Sequence, residues 1–229
     1  MIVVIQFWTD ASEEHEQKCY KKYLPDTDLE FLSIFSENVS FDEPEKLLEN
    51  YDKVILAGSG ELLLSRADEK TEGVYERIKP LMDFVLRTDY PTLGVCFGNQ
   101  MLAKAIGGQV SHEEAQAEAG IQQVRFTKAG RGAAIFKNMH NPLSVAVGHE
   151  DSVIKLSKKA TWLAYSAKCP LQAFKYGKNV FGVQFHIELD DKDLAERLSM
   201  YSQYDNYQLG YYLPNDIHGP QVLKNFATI

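Results

Sequence analysis

The chain has 229 residues, 45% of them hydrophobic and 24% charged, enough for one full domain or two small ones with a real buried core. Lys and Arg number 24 against 32 Asp and Glu, a net charge of −8, which argues against a protein whose main work is to grip a nucleic-acid backbone. No apolar run approaches ~18 residues, so no membrane span is expected.

Met1–Phe7 carries no basic region and no small-residue cleavage site, so no signal peptide is expected. The three cysteines, Cys19, Cys96 and Cys169, form no C-x-x-C pair. This predicts neither a disulfide framework nor a Cys-rich zinc site, and a reducing, cytoplasmic setting. In chain order, Ile2–Trp8 reads as a buried strand and Ser12–Leu24 as a helix with Ser12 at its N-cap and Pro25 beyond it. Leu29–Phe35 and Lys53–Ala57 read as strands, the second running into Gly58-Ser59-Gly60. Val74, Ile78, Leu81, Met82 and Val85 share one helical face, with Pro80 predicting a kink or restart. Thr92–Val95 reads as a strand and Asn99–Ile106 as a helix stopped by Gly107-Gly108.

Strand–helix alternation predicts an α/β fold with a parallel sheet covered on both faces. The second half instead reads as strands joined by short loops: Ile121–Phe126, Leu143–Val147, Ala160–Ala167, Leu171–Tyr176 and Val180–Phe185. Asp190–Tyr204 and Gln221–Ile229 are helix-compatible, around a Tyr-rich stretch with Tyr201, Tyr204, Tyr207, Tyr211 and Tyr212 that would pack on the domain or on a partner. The expected organisation is one domain over 1–190, with a C-terminal helix and tail, 191–229, packed on it.

Gly94-Val95-Cys96-Phe97-Gly98 lies between a predicted strand and a predicted helix. This is the nucleophile-elbow pattern, with small residues two positions either side of the apex. Cys96 would sit at a helix N-terminus, which favours thiolate. Alone, the pattern fits a structural cysteine in a tight turn equally well. Gly182-Val183-Gln184-Phe185-His186-Ile187-Glu188 ends an apolar strand with a His and a Glu two apart, able to share one side of an extended chain. A Cys nucleophile needs a base, and the base an orienting acid; the bland alternative is a surface His–Glu pair.

Together the two segments resemble the class I glutamine amidotransferases with a Cys-His-Glu triad, which carry G-x-C-x-G-x-Q and, later, G-x-Q-F-H-P-E. Met101–Gly108 and His149-Glu150-Asp151-Ser152-Val153 are similar to the family as well, and the resemblance covers residues 1–190. It implies a mostly parallel central sheet of about seven strands flanked by helices, flavodoxin-like in layout. It also implies Cys96, His186 and Glu188 as the catalytic set, an oxyanion hole from Gly58 or Ser59 with Phe97, and substrate contacts from Gln100, His149 and Asp151. The last two fit the capping of a strand end better.

Three departures stand out. Gly58-Ser59-Gly60 replaces the usual G-G-P and resembles the stand-alone branch that includes γ-glutamyl peptidases. Ile187 replaces the proline of H-P-E, and Asn99 replaces the His or Gln before Gln100. No P-loop occurs, and the roughly 40 residues after Glu188 are too few for a synthetase domain. The resemblance therefore implies an amidohydrolase acting on glutamine or a γ-glutamyl compound through a Cys96 thioester, stand-alone and with no metal or organic cofactor. The alternatives are a glutaminase subunit feeding ammonia to a separate synthetase (GMP synthase-like), and a non-catalytic binding module. A homo-oligomer remains open. His218, in His218-Gly219-Pro220, is a weak rival base, and His112 with Glu113, Glu114 and Glu118 reads as a solvated acidic face rather than a metal site.

Overall fold

A computed structural model describes residues 1–201 and 217–229 of the protein. Tyr204, Tyr207, Tyr211 and Tyr212 of the Tyr-rich stretch lie outside the described residues.

The apolar runs form the centre of the molecule. Strands β1 (Ile2–Gln6), β2 (Leu29–Ser33), β3 (Lys53–Leu56), β4 (Thr92–Val95) and β11 (Val180–Val183) lie parallel in the order β2-β1-β3-β4-β11. The sheet continues antiparallel through β10 (Ala173–Tyr176), β9 (Ala160–Tyr165), β6 (Glu118–Phe126) and β7 (Leu143–His149). Among the described residues it thus holds nine strands rather than about seven, the short-looped second half having joined the same sheet. A second, two-stranded sheet pairs β5 (Gln109–His112) with β8 (Asp151–Lys155), neither of which the sequence pattern singled out as a strand.

The pleat divides the core. Ile2 and Val4 of β1 join Tyr20 and Leu24 beside α1 (Ser12–Tyr23), and Val222, Leu223 and Phe226 of α6 (Gly219–Ala227), on one face. Val3 and Ile5 join Ile78, Leu81 and Met82 of α3 (Glu69–Thr88) and Met101 and Leu102 of α4 (Phe97–Ala105) on the other. The remaining α-helices among the described residues are the short α2 (Pro44–Leu47) and α5 (Asp191–Ser199).

One helix expectation is corrected and another is narrowed. Ala11, not Ser12, is the N-cap of α1; Ser12 begins the helix, and its hydroxyl is engaged by the Tyr201 hydroxyl at 2.6 Å. Helix α3 runs continuously through Pro80 instead of restarting there. Pro80 costs that helix a backbone hydrogen bond, but Ile78, Leu81, Met82 and Val85 are buried on both sides of it, and that packing holds the turn together.

Strand β7 closes the antiparallel half. At alternate residues its outer backbone groups meet other segments. Ser144 N–H donates to His218 Nδ1 and its carbonyl accepts from His218 N–H, and the Ala146 carbonyl accepts from His186 N–H at 2.9 Å. The Gly148 carbonyl lies 3.8 Å from Cys96 Sγ.

Candidate functional site

The site lies at the carboxyl ends of β4 and β11, where parallel α/β sheets open to ligands. Val183 pairs with Val95, and Cys96 N–H donates to the Val183 carbonyl at 2.9 Å, so register alone brings the two sequence motifs together. Cys96 has φ 50° and ψ −101°, a left-handed conformation that costs a non-glycine residue about 1–3 kcal/mol. The turn is tight: a Cβ on Gly98 would stand 2.1 Å from the Leu56 carbonyl oxygen, and one on Gly94 2.6 Å from the Gly98 backbone. Gly98 N–H donates to the Ala57 carbonyl at 3.0 Å, which draws the loop after β3 against the start of α4. That loop touches the site, since a Cβ on Gly58 would lie 3.3 Å from His186 Cε1 and 3.7 Å from Cys96 Cβ.

His186 Nδ1 sits 2.8 Å from Glu188 Oε1, both side chains being buried. Glu188 Oε2 accepts from Ile187 N–H at 3.0 Å, a bond that the proline of the usual motif could not donate. Burial opposes charge on His186. The Glu188 carboxylate and the hydrogen bond with Cys96 outweigh it and push the imidazole up to about 10. Burial likewise opposes charge on Glu188, and the His186 imidazolium beside it holds the carboxyl down to about 2. Cys96 Sγ also receives Gln184 Nε2 at 3.6 Å. Gln184 in turn accepts from Asn99 at 3.2 Å and Gln100 at 3.3 Å.

Behind Glu188 stands a buried cationic prop that the sequence pattern does not reveal. Arg197 of α5 places Nη1 3.9 Å from Glu188 Oε1 and its guanidinium 4.9 Å from the centre of the Trp8 ring. Its Nε and Nη2 donate to His15 Nδ1 at 3.1 and 2.9 Å. Burial, and then the Arg197 charge, lower the pKa of His15, in keeping with a neutral acceptor. Glu16, also buried, accepts from Gln6 Nε2 at 2.9 Å. Burial raises it to about 7 against the pull of Arg197. The only available signal, an Arg on the polar pattern of α5, resembles any solvated helix charge.

Of the residues expected to bind substrate, Gln100, His149 and Asp151 line one cavity with Cys96, Phe97 and Ser59. The strand-end bonds expected of His149 and Asp151 are present too. His149 Nδ1 faces the Asp151 carbonyl at 3.1 Å, and the Asp151 carboxylate accepts from the Ser65 N–H and hydroxyl. The Ser59 hydroxyl donates to the Phe7 carbonyl at 3.2 Å and accepts from Leu62 N–H at 3.2 Å, fixing the loop by its side chain. The Phe97 N–H is the first of α4 and has no carbonyl four residues back within the helix.

Glu118 is a correction. It is buried rather than solvated, accepting from Gln172 at 2.6 Å and Ser166 at 2.9 Å, with His149 Nε2 3.3 Å away. Cys169 joins Glu118 and His149 in a cluster with metal-ligand geometry, as do His15, Cys19 and Asp193. In both, the donor atoms are already engaged: Glu118 by two side-chain donors, His15 by the Arg197 cation. His218 stands apart from Cys96, His186 and Glu188, its Nδ1 accepting from Ser144 N–H at 3.2 Å.

The glutamine amidotransferase class-I family model matches residues 26–198. A subunit of the glutamine-hydrolyzing GMP synthase of Methanosphaera stadtmanae is 31% identical over 69% of this chain and 75% of its own length. The corresponding protein from Picrophilus torridus is 33% identical over 62% and 74%. A crystal structure of a glutamine amidotransferase from Thermotoga maritima superposes with a TM-score of 0.76 at 22% identity, over 99% of this chain and 95% of that one, a likeness of fold. With the family model spanning both motifs and most of the sheet, the chain belongs to the class I glutamine amidotransferases.

Proposed function

We propose that the protein hydrolyses the side-chain amide of glutamine or a γ-glutamyl compound, with Cys96 as nucleophile, His186 as general acid and base, and Glu188 as the acid that orients His186. The observation that carries this is the buried His186–Glu188 pair, 2.8 Å apart, set beside Cys96 at the apex of the elbow, with His186 Cε1 and Cys96 Cβ both against Gly58.

Cys96 sulfur attacks the amide carbon and forms a C–S bond. The Gly58 or Ser59 and Phe97 N–H groups face the oxygen that becomes negative, a contribution of about 10²–10³ in rate per donor. His186 gives its proton to the nitrogen, the C–N bond breaks and the amine leaves. Water, deprotonated by His186, then cleaves the thioester and releases glutamate. Gln100, His149 and Asp151 line the cavity that would hold the glutamyl half.

Purified protein incubated with glutamine and γ-glutamyl amides, without nucleotide, should release glutamate and show a transient acyl adduct on Cys96 by mass spectrometry. Absence of acylation by any γ-glutamyl compound would overturn the reading.

A second reading, a glutaminase subunit delivering ammonia to a separate synthetase, is favoured by the relatives that are named as subunits of glutamine-hydrolyzing GMP synthases. Turnover of glutamine only when such a synthetase is added would select it.

A further inference from the structure

Two shallow cavities, both open to solvent, flank the reacting pair. They share Ser59, Gly60 and Gly148 at their rim and differ in chemistry. The first contains Cys96 and mixes polar and apolar surface, with Gln100, His149, Glu150 and Asp151 in its wall. The second contains His186 and is walled by Trp8, Leu189, Leu194, Leu198 and Tyr201, with Arg197 at one side.

Arg197 turns Nε and Nη2 to His15 and lays its guanidinium against the Trp8 ring, and the side chains around it in the second cavity are mostly apolar. Tyr201 is seated firmly in that wall. Its ring lies 6.2 Å from that of Trp8, its hydroxyl is bonded to Ser12 and Asp10, and a Cβ on Gly60 would stand 2.9 Å from Tyr201 Cζ.

The reaction fixes which half of the substrate belongs where. The acyl carbon must reach Cys96, and the departing nitrogen must take its proton from His186. The leaving group therefore emerges on the His186 side. Ammonia is small and polar and gains nothing from five apolar and aromatic side chains, whereas an alkyl or aryl group on the nitrogen would bury surface against them.

We infer that the preferred substrate is a γ-glutamyl amide whose amine carries an aliphatic or aromatic group, seated between Trp8, Leu194, Leu198 and Tyr201. This assignment rests on the amidase reading above and adds the identity of the leaving group. The chemical balance is unchanged: the C–N bond breaks, the amine leaves with the His186 proton, and water completes the cycle.

The test is a series of glutamate γ-alkylamides, from methyl through ethyl and isobutyl to isoamyl, assayed beside glutamine. Simple alkylamines differ little in basicity, so the series varies size while leaving ability stays nearly constant. kcat/KM should rise by up to about fourfold per methylene that is fully buried, and by at least about tenfold from methyl to isoamyl, where burial is partial. In Leu194→Asn, a polar residue of similar size, the isoamyl-to-methyl ratio should fall at least fivefold. The wild-type series decides by itself if that variant fails to fold. A flat or falling series, with Cys96 acylated and glutamine the best substrate, overturns the inference and leaves the amidase reading standing. Failure of every compound to acylate Cys96 overturns both.

Discussion

At the scale of single residues, the three cysteines separate by environment. Burial, and then Glu188, raise the pKa of Cys19; burial and Glu118 push Cys169 up to about 11. Of the three, Cys96 opens onto a cavity beside an imidazolium. Sub-stoichiometric alkylation of the folded protein should label Cys96 first, and peptide mapping that finds Cys19 or Cys169 modified earlier would contradict the proposed nucleophile. The His186–Glu188 pair also makes stability depend on pH. His186 rises from 6.5 to about 10, so its contribution is complete below pH 6.5 and fades as pH climbs through about 10. Glu188 falls from 4.5 to about 2, so its contribution is complete above pH 4.5 and fades as pH drops through about 2. The His186 ring resonances should accordingly stay at their protonated position from about pH 5 to about pH 8, where a free histidine titrates. A midpoint near that of a free histidine would refute the ion pair. That Cys96, His186 and Glu188 would meet was legible because elbow geometry and tautomer control demand particular residue types at short spacing. Arg197 was not, because its meaning depends on α5 folding back against Trp8 and His15, a contact 182 residues distant along the chain.

Elements carry their own tests. Asp190 caps α5 in a reciprocal box with Asp193, and its carboxylate also receives Lys22 and Tyr23 from α1. Asp190→Ala should lower stability by about 1–2 kcal/mol in urea denaturation, with the loss concentrated where α5 meets α1. Gly98→Ala is a harsher change, because the new methyl meets backbone at 2.1 Å. It should cost about 3 kcal/mol and slow turnover by displacing Cys96; wild-type activity in that variant would mean the elbow is looser than described. Helix and strand identities were readable wherever apolar residues kept a period of 3.6 or 2. β5 and β8 escaped because each is short and mixed in polarity, and because they pair with each other at long range instead of joining the main sheet.

At the scale of the molecule, the C-terminal helix is part of the core. Val222, Leu223 and Phe226 are fully buried, and a Cβ on Gly219 would stand 2.4 Å from the His186 carbonyl oxygen. Phe226→Ala should therefore cost about 3–5 kcal/mol, a Tm shift on the order of 10 °C by calorimetry. An unchanged Tm would show that α6 docks weakly. The α/β class and the parallel half were legible from strand–helix alternation. The size of the sheet was not, because nothing in the short strands of the second half says whether they extend the first sheet or build another. The parallel pairing of β11 with β4 brings them to it, the antiparallel pairing of Arg125 with Tyr165 adds β6 and β7, and both are set by long-range packing.

The outer backbone of β7 has a consequence for self-association. An unpaired sheet edge is a template on which another chain can add a strand, and long exposed edges drive aggregation. At Ser144, Ala146 and Gly148 that template is occupied by His218, His186 and the Cys96 sulfur. Strand addition from a foreign chain is thus blocked at this margin by His218 and by two groups of the site itself. The opposite margin is β2, where exposed Glu30 places a negative charge on the accessible edge and discourages copies from stacking there.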